Sequence, residues 1–343
     1  MEDSMNSRER IMAVLAGEKP DMTPIFPKIA FANVLACEGM TVREYMTDPK
    51  CMAAACVSAY RKFGWDGVAL HTDISSEGKA LGTIYEQPEN TPGILKEYLL
   101  KDLSETDKVK VPDPYTTESM RTVVEAVRLV KKEIGDEAYI LGWTNGPLNV
   151  AGQVYNLDEL LVSLLEEPEE VHRLLEKCTE VSCAYAAAMI EAGADMIAYG
   201  HATASQNVIS RDCYLEFALP YEKRLVQSIH EHGAKALTHI CGNIENIVDA
   251  IAQNGSDVVD FDHVCDIDRL RERMPDKIYR GNIDPALFAM GTEGEIREAV
   301  KRLLAQKGAE EKFFLGSGCE INLNTPVGNL KAFTEAGRKY GKK

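Results

Sequence analysis

AKALTHICGNIENIVDAIAQNGSDVVDFDHV, residues 234–264, decides the architecture. An apolar run at 234–240 stops at Cys-Gly-Asn, an amphipathic stretch follows, and a second apolar run covers 258–262. Short, almost wholly apolar runs bounded by Gly, Asp or Asn are the pattern of parallel strands buried on both faces. The same alternation extends outward in both directions. Further runs lie at 23–26, 67–71, 138–143, 195–200, 278–282 and 313–318, making eight in all. Helical patterns separate them. ISRDCYLEFALPYEKRLVQSIHEHG (209–233) has Ser210 as N-cap, Gly233 as its stop, and Pro220 inside, which predicts a kink or break. Residues 166–193 form another, with acids in the first turn where the helix dipole favours them.

Eight strands, each leading into helix, is the count of a single α/β domain over residues 1–343, a (β/α)8 TIM barrel. A doubly wound open sheet shares the alternation, but no G-x-G-x-x-G follows the first strand. The residues beyond about 250 are expected in an N-terminal extension and long βα loops. The longest such insertion is 72–137.

The bulk numbers exclude several function classes. With 54 acidic and 38 basic side chains the formal charge is −16, which repels nucleic acid and anionic membrane surfaces. No stretch approaches the roughly 18 apolar residues of a membrane span. The start, MEDSMNSRER, lacks the apolar region of a secretory signal, so a cytoplasmic location is expected. Nine scattered cysteines are an odd number without framework spacing, and are expected to be thiols.

Barrel chemistry collects at the C-terminal ends of strands. There the fifth run ends in Thr-His-Ile-Cys-Gly and the eighth in Gly-Ser-Gly-Cys-Glu. Residues i and i+2 of a strand point the same way, so His239 and Cys241 can converge. Closing the barrel brings Cys319 to the same rim. One imidazole and two thiolates suit zinc with a fourth position left open, and their softness disfavours magnesium and calcium. Other rim residues are candidates for a substrate pocket: Glu77 after the second strand, Trp143 and Asn145 at the third, His201 at the fourth, Asp262 and His263 at the sixth, Asp284 at the seventh. Asp262 or His263 could support a metal ligand or act as an exchangeable fourth one. Asp284, followed by Pro285, also reads as an N-cap.

These stretches resemble the uroporphyrinogen decarboxylase superfamily. LTHICGN (237–243), GNIDP (281–285) and GSGCEINLNTPVGNLKAF (316–333) carry the likeness, with RERIMAVLAGEKPDMTPIF (8–26) and EAGADMIAYGHATASQNVIS (191–210). Within it the chain resembles the zinc-dependent methyltransferase branch typified by methylcobamide:coenzyme M methyltransferases. The resemblance implies a TIM barrel, zinc held by His239, Cys241 and Cys319, and methyl exchange with a corrinoid carried on a partner protein. The small molecule that the resemblance implies is a thiol acceptor such as coenzyme M or a methoxylated or methylated donor. The decarboxylases carry an N-terminal arginine-rich motif for substrate propionates; here that region reads FPKIAFANVLACEG (26–39) and lacks it. Buried carboxylates need cationic partners, so porphyrinogen decarboxylation is the alternative the residues disfavour. A zinc-binding homologue without catalysis is the other alternative. The chain also departs from the closest methyltransferases at His263, where a carboxylate is expected.

Overall fold

The structure, a computed structural model, describes residues 5–309 and 311–342. Seven parallel strands form one sheet: β1 (Gly67–Leu70), β4 (Tyr139–Asn145), β5 (Met196–Gly200), β6 (Lys235–Ile240), β7 (Val258–Phe261), β8 (Ile278–Ile283) and β9 (Phe313–Ser317), neighbours in that order. A small antiparallel hairpin, β2 (Ile84–Glu86) with β3 (Ile94–Glu97), lies in the insertion after β1. The rest of that insertion contains the helix Glu118–Ile134, which packs on β4 and β1.

The expected first strand at 23–26 is not a regular ladder strand. It makes one parallel bridge, Ile25 to Leu315. Its hydrogen bonds nonetheless join the two ends of the sheet. Leu315 N donates to Pro24 O and Phe26 N to Leu315 O, both at 2.8 Å, while Asp66 N donates to Ile25 O at 2.7 Å. The segment thus closes the barrel between β9 and β1. Pro24 and Pro27 lack the N–H groups a longer ladder would need, which keeps the pairing short.

Alternation along the strands sorts side chains into two cores. Inside the barrel lie Phe26, Ala69, Leu141, Trp143, Ala198, Leu237, Val258, Ile278 and Phe314. The outward-facing set packs against the helices in one larger cluster. The helix Ser7–Leu15 puts Ile11 and Val14 into the inner cluster, plugging the barrel at the strands' N-terminal ends. Arg10, 2% exposed, fixes it there through Asp66 at 2.6 Å and Asp21 at 2.7 Å. Arg8 adds a fork on Asp195, with Nη2 at 2.7 Å. This buried end leaves the opposite rim for chemistry.

The expected interruption of the 209–233 helix is present. Ser210 caps its start by accepting from Cys213 N, and a π-helical turn, Tyr214–Ala218, precedes Leu219–Glu231. Pro220 sits in the first turn of that last segment, where its missing N–H costs nothing.

Candidate metal centre

Three residues converge at the rim. His239 is the penultimate residue of β6, Cys241 follows the strand, and Cys319 lies two residues past β9. The atoms His239 Nε2, Cys241 Sγ and Cys319 Sγ are separated by 3.2, 3.8 and 3.8 Å. Zinc–sulfur bonds of about 2.3 Å and zinc–nitrogen bonds of about 2.05 Å at tetrahedral angles put S···S near 3.75 Å and S···N near 3.55 Å. The triad therefore fits one such ion to within a few tenths of an ångström. It is the one group of three metal-ligating side chains found among the described residues.

Strand register builds the support beneath it. His239 pairs with Asp260 on β7, and Asp260 with Arg280 on β8. All three face the barrel interior, continuing the parity of Leu237, Val258 and Ile278. His239 Nδ1 lies 2.9 Å from Asp260 Oδ2, and Arg280 meets the same carboxylate through Nε at 3.0 Å and Nη2 at 2.6 Å. All three are buried. Burial works against charge on Asp260, but the guanidinium of Arg280 and then His239 outweigh it and hold the carboxyl well below its usual range. The contact on Nδ1 is an ion-pair approach rather than an aligned hydrogen bond, and it leaves Nε2 facing the two sulfurs, the side on which a metal would be held.

Across the rim, Lys28 follows the barrel-closing segment. Its Nζ lies 3.7 Å from Cys319 Sγ and 4.6 Å from the centroid of the Trp143 ring. Burial lowers its affinity for a proton, but Cys319, then Cys241, Asp260 and Glu320 raise it further, so the ammonium is kept. Within the sulfur pair the Cys241 thiol bonds Cys319, which puts the negative charge on Cys319 beside Lys28 and pushes Cys241 up. Trp143 fits because a neighbour on β5 is Gly200, where a Cβ would lie 2.5 Å from the indole. The indole stacks on His71 at 5.0 Å and tilts against His239 at 5.9 Å. His71 Nε2 is 3.5 Å from Glu320 Oε2, and neither atom has a hydrogen-bond partner among the described residues.

The remaining candidates are placed as follows. Glu77 is fully buried, and its carboxylate accepts from Thr144 Oγ1 at 2.8 Å and from Asn145 N at 2.7 Å. Asn145 Nδ2 bonds its other oxygen, so Glu77 and Asn145 fasten the end of β4 to each other. Burial pushes the Glu77 carboxyl up. His201 is also fully buried and turns outward to Glu222, with Nδ1 at 2.7 Å from Oε1. Asp262 accepts from Gly242 N at 2.8 Å, next to Cys241, and contacts His263 Nδ1 at 2.7 Å. The residue supporting His239 is therefore Asp260, two residues earlier than Asp262. His263 is partly exposed and packs against Gly318, where a Cβ would overlap its backbone nitrogen. Asp284 caps the helix Pro285–Met290 by accepting from Ala286 N at 2.8 Å. Lys28, Arg280 and Glu320 were not singled out by the sequence. Lys28 had a signal: it lies just past the first apolar run, where the rim rule applies. Arg280 had none, because an arginine inside a strand reads as an outward residue until register is known.

Comparison with known proteins agrees with the fold. The uroporphyrinogen decarboxylase (URO-D) family model matches residues 6–340. The methylcobamide:CoM methyltransferase MtbA of Methanosarcina acetivorans is 29% identical over 340 residues, covering 97% of this chain and 98% of its own. A uroporphyrinogen decarboxylase of Prochlorococcus marinus (strain MIT 9312) is 27% identical over 306 residues, covering 87% of this chain and 86% of its own. A solved methyltransferase from Methanosarcina mazei superposes with a TM-score of 0.89 at 24% identity over 98% of this chain and 99% of its own, a likeness of fold.

Proposed function

The chain belongs to the uroporphyrinogen decarboxylase family, and from that premise we propose that it is a zinc-dependent methyltransferase, moving a methyl group between a corrinoid on a separate protein and a small molecule. The observation that carries the reading is the triad of His239, Cys241 and Cys319, whose spacings suit a tetrahedral zinc with one position left for a reactant. Bound there, zinc would supply a Lewis acid able to hold a thiol acceptor, such as coenzyme M, as thiolate at neutral pH, or to polarise the heteroatom of a methoxylated or methylated donor.

The chain's own residues orient and charge that site. Asp260 and Arg280 hold the imidazole of His239 in one orientation. Lys28 keeps a cation beside the sulfurs. Trp143 and His71 wall the approach with aromatic faces. The loops beyond β1, β5 and β7 expose Ile74, Val208 and Val264, and the helix Pro285–Met290 after β8 exposes Met290, apolar side chains of the kind a transient partner covers. This supports docking of a corrinoid protein over the mouth. No described helix is long and apolar enough to cross a membrane. Decarboxylation of a porphyrinogen is less well served. The charges of the two buried arginines are matched by carboxylates of the chain itself, Arg10 by Asp66 and Asp21 and Arg280 by Asp260, although Nη1 of Arg280 has no hydrogen-bond partner among the described residues.

The test is metal analysis of the purified protein and of Cys319→Ser, paired with the absorbance change of methylcobalamin or cob(I)alamin against a panel of thiols and methoxyaromatics. One zinc per chain, with loss of both metal and methyl transfer in the variant, is expected. Methyl transfer that persists after the metal is gone would discard the reading.

A further inference from the structure

The insertion after β1 forms a cleft that methyl transfer does not use. Its volume is about 420 Å³, within the range of small-molecule pockets. The helix Ser76–Leu81, the hairpin strand β2 and the start of the helix Glu118–Ile134 wall it. Eight of the thirteen lining residues carry a hydroxyl. Four of those hydroxyls have already given their hydrogen to a backbone carbonyl: Thr47 to Arg43 O at 2.8 Å, Thr83 to Gln153 O at 3.0 Å, Ser119 to Ser76 O at 2.9 Å and Thr122 to Glu118 O at 2.9 Å. A hydroxyl has one donor and two lone pairs, so these four offer acceptors only. A buried donor stands beside them. Gln153 is 5% exposed, its Oε1 accepts from Gly78 N at 2.7 Å, and its Nε2 has no hydrogen-bond partner among the described residues. Gln153 Oε1 and Tyr85 Oη lie 3.0 and 3.2 Å from where a Cβ on Gly78 would stand, so the amide reaches the cleft wall at Tyr85. A buried amide hydrogen without an acceptor costs free energy that a bound oxygen would remove.

Charge favours neither sign of ligand. Lys79 and Glu118 are the charged lining residues. Lys79 Nζ already meets Gln87 Oε1 at 3.0 Å and Asp73 Oδ2 at 3.5 Å, so an anion finds its cation engaged. Glu118 is exposed, where water screens its charge. We propose that this cleft is a second ligand site, separate from the metal triad, for a neutral polyol of monosaccharide size. Each hydroxyl of such a molecule can donate to an oxygen whose own hydrogen is spent, and one can accept from Gln153 Nε2. Ile84 and the Tyr85 ring supply apolar surface for its carbon skeleton. The site stands or falls independently of the methyl-transfer reading.

The experiment is saturation-transfer NMR on the full chain, titrated with D-glucose and myo-inositol. D-glucuronate and D-glucosamine serve as charged counterparts of glucose, and cyclohexanol as a ring stripped of most hydroxyls. At least one of the two neutral polyols should bind saturably below about 20 mM, with cyclohexanol at least about tenfold weaker. Thr122→Val keeps the shape and removes the lone pairs; it should weaken the polyol about threefold to tenfold with the circular dichroism unchanged. Ser119→Phe fills the cleft and should abolish binding; if that variant does not fold, Thr122→Val decides. No saturable binding of either neutral polyol, cyclohexanol binding as tightly, a charged counterpart binding tighter than glucose, affinity unchanged in Thr122→Val, or binding that persists in folded Ser119→Phe would each overturn the proposal.

Discussion

Replacing Asp260 by Asn tests the layer of residues beneath the metal triad. The carboxylate serves two neighbours: His239 Nδ1 at 2.9 Å and the Arg280 fork at 3.0 and 2.6 Å. An amide of the same shape has one oxygen and no charge, so it can satisfy one of them. Removing a carboxylate that supports a metal-ligating histidine typically weakens the metal about 10–100-fold, equivalent to about 1.4–2.7 kcal/mol. Arg280 is fully buried, so losing its counter-charge should destabilise the metal-free fold by about 3–5 kcal/mol. Competition for zinc against a chromogenic chelator reads the first effect, and urea unfolding of the metal-free protein reads the second. The double variant Asp260→Asn/Arg280→Met separates them. Without a stranded cation it should recover at least about half of the lost stability, yet none of the zinc affinity. An Asp260→Asn protein that binds zinc within about twofold of the parent, or a double variant that regains it, would refute the role given to Asp260.

Other expectations follow from single positions. His239→Ala should lose stoichiometric zinc, read by metal analysis, and the metal-free form should also unfold at a lower midpoint, because the substitution leaves a cavity beside the buried Asp260 carboxylate. Gly318→Ala would drive a methyl into the backbone of His263 and displace the turn carrying Cys319, so zinc affinity and thermal midpoint should fall together. Glu222 is buried, which raises its carboxyl, but His201, Tyr214 and Asn254 more than offset this and hold it below its ordinary value. A depressed carboxyl contributes stability that is complete above the unfolded value of about 4.3 and lost as pH falls through the lower folded one. Glu222→Gln should therefore cost about 1.5–3 kcal/mol at pH 7 in urea unfolding, and the gap to the parent should narrow from pH 5 to pH 3. A gap that stays constant over that range would contradict the assignment.

Much of this was legible before any coordinates. Apolar runs fixed the seven ladder strands to within a residue or two, because strands buried on both faces leave a contiguous apolar mark. The segment at 23–26 carries the same mark but flanking prolines limit it to one bridge, a distinction periodicity does not record. His239 and Cys241 were readable from the two-residue period of a strand end, and Cys319 from its glycine-flanked turn. Rim position misjudges Glu77 and His201 as accessible, since it says where a residue lies along a strand end and not what it turns toward. Glu77 is spent on Thr144 and Asn145, and His201 on Glu222. The alignment of His239, Asp260 and Arg280 depends on which residues stand opposite one another across three strands. That offset is set by barrel closure and has no local signature.

Closure of the ring by residues 23–28 has a consequence for biosynthesis. Lys28 emerges from the ribosome long before Cys319, and the two can meet only after β9 has been made and the early segment has found its place between β9 and β1. A half-made chain presents His239 and Cys241 as a two-ligand site open to adventitious metals. On the proposed zinc reading, loading with the ion would be an event of the finished protein, and retained metal would report that both ends of the polypeptide have been stitched together.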